Sequence, residues 1–137
     1  MRLRSRQVPM PLARRALFYQ NDHLASDDLN AAYTLAQEAY RGNVSAAMCS
    51  NGYAGVLSKY QAYLYLAGKV VPHKSPENDG FVEYQACTLG LDESLFGTSY
   101  KDKFYKPQLN HADTGFITGG GYFKDSQKPI KWFECLL

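Results

Sequence analysis

Three histidines, His23, His73 and His111, are the side chains of this sequence best suited to proton transfer or metal binding near neutral pH. They stand far apart, in three separate loops, and no His-x-x-x-His pair places two of them on one helix face. They read as surface or hydrogen-bonded histidines, and neither a metal nor another cofactor is expected. The adjacent carboxylates Asp27 with Asp28, and Asp92 with Glu93, point apart on a helix or a strand and form no acid–base couple by themselves. Gly119, Gly120 and Gly121 lack a following lysine and a helix to open, so they read as a turn rather than a phosphate cradle. Ser94 and Ser99 occupy no Gly-x-Ser-x-Gly elbow. No catalytic residue is assigned, and a non-catalytic role is expected.

The cysteines are Cys49, Cys87 and Cys135. An odd number, widely spaced and without Cys-x-x-Cys, argues against a secreted disulfide framework and against a zinc site. A reducing compartment, or buried inert thiols, is expected, with Cys49 in the core.

Charge is distributed unevenly. Arg2, Arg4, Arg6, Arg14 and Arg15 fall within the first fifteen residues, where no acid occurs. The rest of the chain is slightly acidic, so a basic arm over 1–20 precedes a body of opposite sign. Arg-rich and free of acids, the arm has the character of a mitochondrial presequence. It also suits RNA, although no aromatic residue is interleaved with its arginines for stacking.

The elements that must position any site are mainly helical. Ser26 is a good N-cap with Asp27 and Asp28 behind it, and Leu29, Ala32, Tyr33, Ala36, Ala39 and Tyr40 recur at helical spacing. Arg41 and Gly42 close this first helix at about residue 41. A second helix is expected from Asn43 to Gly68, along which Ala46, Ser50, Ala54, Ser58 and Ala62 form a row of small residues at every fourth position. Residues 42–58 carry no charge, yet Asn43, Ser45, Ser50, Asn51 and Ser58 interrupt them and Lys59 follows. A transmembrane span is therefore not favoured, although proximity to a membrane fits. The short connection makes the two helices an antiparallel hairpin over 21–71.

Residues 72–137 read as an extended, irregular, aromatic half with at most a small β-hairpin or sheet. Asp92 to Phe96 suits one helical turn. The alternative is an α+β fold in which Phe81–Leu89, Phe116–Phe123 and Ile130–Leu136 form a sheet on the hairpin. The apolar ending with Trp132 and Phe133 belongs either in the core or against another chain.

Taken together, the basic start, the helical hairpin and the long aromatic tail resemble the small supernumerary subunits of large organellar complexes. That resemblance implies a non-catalytic structural subunit of a membrane-associated assembly, such as the mitochondrial respiratory chain or ATP synthase, with other protein subunits as partners. The contact residues it implies are Arg2, Arg4, Arg6, Arg14, Arg15, Ala46, Ser50, Ala54, Ser58, Trp132 and Phe133. Two other readings are a ribosomal or nucleoprotein component using the arm, and a small independent viral or bacterial enzyme or inhibitor.

Overall fold

A computed structural model describes residues 25–137 of the chain. His23 and the five arginines of the arm lie outside the described residues. The chain divides into two units between Val44 and Ser45.

The first unit contains helix α1, Asp27–Asn43. Ser26 caps it, its hydroxyl accepting the N–H of Leu29 at 3.2 Å, and Asp27 and Asp28 face the positive end of the helix dipole. Arg41 stands in the last turn, as its position in the sequence predicts.

The second unit is built from short elements: β1 (Ala47–Met48), α2 (Gln61–Val70), α3 (Tyr84–Thr88), β2 (Phe104–Tyr105), α4 (His111–Thr114) and α5 (Pro129–Glu134). Single 3-10 turns lie at Glu93–Leu95 and Asp125–Gln127. β1 and β2 pair in parallel, Ala47 opposite Phe104 and Met48 opposite Tyr105. The fold is thus mainly α with a small two-stranded sheet. Leu64, Ala67, Tyr84, Tyr105, Leu109 and Trp132 form its core.

The continuous helix expected from Asn43 to Gly68 is not present. Only Gln61–Val70 is helical, and residues 44–60 run as β1 followed by loop. The backbone of this stretch bonds elsewhere: the N–H groups of Ala47, Cys49 and Asn51 donate to the carbonyls of Lys103, Tyr105 and Pro107. A ladder to residues so distant outweighs helical propensity, and Asn51-Gly52 and the left-handed Gly55 (φ +61°) finish the break. Ala46, Ser50, Ala54 and Ser58 therefore share no helix face; Ser50 is buried, Ala46 and Ser58 are half-buried, and Ala54 is exposed.

The alternative sheet is also absent among the described residues. Phe81–Leu89 becomes a turn and α3, Ile130–Leu136 falls largely in α5, and Phe116 to Gly120 bends through positive φ at Phe116, Gly119 and Gly120. Pro129 starts α5 at N1, where its missing N–H costs nothing. Asp92 caps the expected single turn by accepting the N–H of Ser94 at 2.9 Å.

Cys49 and Cys87 are joined by a disulfide, which corrects the expectation of free thiols. β1 leads into the first cysteine and α3 carries the second, so packing across 38 residues meets a condition that sequence spacing does not reveal. Cys135 is free and exposed.

Candidate functional site

The loop before α3 and the start of α4 meet at a cleft of about 300 Å³ lined by Met48, Ser50, Asp79, Val82, Cys87, His111, Thr114 and Gly115. Its loop wall is shaped by Asn78-Asp79-Gly80. Asn78 accepts the N–H of Gly80 through its side chain, and Asp79 Oδ1 accepts those of Phe81 (3.0 Å) and Val82 (2.7 Å). Short side chains that accept from residues just ahead of them are the usual device for fixing a tight turn. Gly80 has φ +107°, and a Cβ there would stand 3.0 Å from the Leu64 carbonyl oxygen, so the turn requires glycine.

His111 enters at the first residue of α4. Asn110 caps that helix, its Oδ1 accepting from Ala112 and Asp113, while Asp113 Oδ2 accepts the Asn110 N–H in return. Asn110 and Asp113 are both fully buried, and Asp113 also accepts from Val56 and from Thr118. The His111 backbone N–H donates to the Asp79 carbonyl at 2.8 Å, locking the two segments together.

The side chains of these segments then form a pair. Asp79 is buried, and its Oδ2 lies 2.8 Å from Nδ1 of His111. With Asp79 ionised, Nδ1 carries the proton and donates, leaving Nε2 as the ring's free acceptor. The hydrogen bond to Asp79 pushes the imidazole above its ordinary 6.5, with the Asp79 charge adding to this and partial burial opposing it. Phe81 packs edge-on against the ring at 5.5 Å, and Tyr63 of α2 packs likewise on Phe81 at 6.0 Å. Met48 and Val82 supply an apolar lining.

An imidazole oriented through Nδ1 by a buried carboxylate is built to take a proton at Nε2 and return it. The hydroxyls that line the cleft are engaged. Ser50 Oγ lies between the Pro107 and Leu109 carbonyls and also accepts the Leu109 N–H, and Thr114 Oγ1 donates to the His111 carbonyl. Ser50 thus ties β1 to the segment entering α4.

The other sequence-derived candidates are dispersed. His73 braces the turn, its Nε2 3.3 Å from the Gly80 carbonyl and its Nδ1 3.8 Å from Glu83, as expected of a hydrogen-bonded histidine. Trp132 is a core residue: its indole N–H donates to the Asp102 carbonyl at 3.0 Å, and its ring stacks on Tyr105. Phe133 faces outward beside Phe116. Among the described residues no group of His, Cys, Asp and Glu is placed to hold a metal ion, and no helix is long and apolar enough to cross a membrane.

Asp79 lies in the half that reads as extended and irregular, and His111 in a stretch that reads as loop. The available signals were the turn formers Asn78-Asp79-Gly80 and the cap residue Asn110 beside His111. Each explains local geometry, and neither announces a partner. Comparison with protein-family models, with curated proteins and with solved structures finds no match for this chain.

Proposed function

We propose that Asp79 and His111 form the acid–base pair of a hydrolytic or acyl-transfer site. The observation that carries this reading is the 2.8 Å contact between a buried carboxylate and Nδ1 of an imidazole that opens on a cleft. His111 removes a proton from the attacking group at Nε2 and passes it to the leaving group, while Asp79 fixes the tautomer and stabilises the imidazolium. The attacking group is water, or a hydroxyl or thiol brought by the substrate. General-base catalysis of this type contributes roughly 10²–10⁴-fold. Hydrolysis of p-nitrophenyl acetate by the full chain should therefore fall at least about tenfold in His111→Gln. Equal rates for the two proteins would remove the reading.

A second reading, the structural subunit implied by the sequence profile, is favoured by one feature of the second unit. Phe116 and Phe133 pack ring to ring at 5.8 Å while both are about half exposed, and Tyr122 and Phe123 are 89% and 95% exposed. Aromatic residues left open on a small unit suit contact with other protein subunits. For this reading the chain alone should sediment as a mixture of associated species. A monodisperse monomer with a cooperative melt would count against it. A reducing location rests on free thiols, and the Cys49–Cys87 bond removes that support.

A further inference from the structure

The cleft that holds Asp79 and His111 also exposes one half of the disulfide. Cys87 lines it and is half-buried, whereas Cys49, its partner, is fully buried. The two cysteines are therefore unequally exposed, and Cys87 is the one that borders the cleft. Which sulfur is attacked, and with what access, governs thiol–disulfide exchange.

We propose that the cleft is a thiol-exchange site, in which a low-molecular-weight thiol forms a mixed disulfide with Cys87. The thiolate attacks Sγ of Cys87. A new S–S bond forms there as the bond to Cys49 breaks, and the bonding pair leaves on the Cys49 sulfur. The proton lost by the entering thiol ends on Cys49, so one thiol is consumed and one mixed disulfide and one buried thiol are produced. An apolar interior suits Cys49 as a neutral thiol. His111 is the group in the cleft that can accept the proton of the entering thiol, and in its imidazolium form it attracts the thiolate. The reverse attack by Cys49 expels the thiol and restores the bond. While the adduct lasts it occupies the space before His111, so the exchange regulates access to the acid–base pair. The exchange itself does not depend on ester hydrolysis by that pair, and the two tests fail separately.

The test uses the full chain carrying Cys135→Ser, which removes the exposed third thiol. It is incubated with reduced glutathione or cysteamine without denaturant, quenched in acid and mapped by peptide mass spectrometry. The adduct is expected on Cys87 over Cys49 by more than about tenfold, and on both about equally in denaturing urea, where access no longer differs. His111→Gln should slow the native reaction several-fold near neutral pH. An adduct chiefly on Cys49, or none until urea is added, overturns the proposal. An unchanged rate in His111→Gln overturns the part assigned to that residue.

Discussion

Asp79 divides its two carboxylate oxygens between structure and chemistry. Oδ1 holds the backbone N–H groups of Phe81 and Val82, and Oδ2 faces His111. The turn and the imidazole are thus positioned by one buried side chain. A similar economy holds at Asp113, which completes the α4 cap and also accepts from Val56 in the loop after β1. That loop passes so close that a Cβ on Gly55 would lie 2.1 Å from Asp113 Oδ2 and 2.3 Å from Asn110 Nδ2, at φ +61°. Both neighbours are fully buried and cannot swing away. Gly55→Ala should therefore cost about 2–4 kcal/mol in urea unfolding, combining backbone strain with the displaced cap. A loss below about 0.5 kcal/mol, the ordinary range for surface changes, would contradict this packing. None of it could be read from residue types, because 57 residues separate Val56 from Asp113 and 32 separate Asp79 from His111.

Among the elements, those defined by neighbouring residues were legible and those defined by distant ones were not. Ser26 with Asp27 and Asp28 announces α1, and Asp92 announces the 3-10 turn at Glu93–Leu95, since each cap satisfies donors two or three residues ahead. The fold class, mainly α with a small sheet, was legible, although most of the helix expected over Asn43–Gly68 is strand and loop and the helices α3, α4 and α5 were not read. The row Ala46, Ser50, Ala54 and Ser58 had helical spacing, but Ala47 and Met48 between its first two members pair with β2 and Cys49 joins the disulfide. Small residues suit a strand threaded between neighbours as well as a helix face, so their period alone did not decide. Tyr105 shows what the sequence withheld about β2. Its hydroxyl donates to the Asp125 carbonyl at 2.7 Å and accepts the Lys128 N–H at 3.1 Å, tying the strand to the entry of α5. Burial pushes that phenol up to about 12.

Across the second unit, short elements are held by buried polar contacts, by aromatic packing and by one disulfide. Tyr84 packs edge-on against Phe96 at 5.7 Å and Phe96 against Phe104 at 5.5 Å, continuing the core from α3 to β2. The His111 N–H bond to the Asp79 carbonyl and the Phe81–His111 ring contact hold the loop before α3 against α4 at the cleft. The proposed function rests on that junction, where Asp79 Oδ2 meets Nδ1 of His111 at 2.8 Å. The most direct test is the pH profile of p-nitrophenyl acetate hydrolysis by the full chain and by Asp79→Asn. A general base must be neutral to work, so the rate should rise with pH through the His111 titration. The carboxylate favours imidazolium, so the wild-type midpoint should lie above the ordinary 6.5 of histidine. In Asp79→Asn it should move to lower pH, with a reduced plateau. The same midpoint and plateau in both proteins would contradict the account.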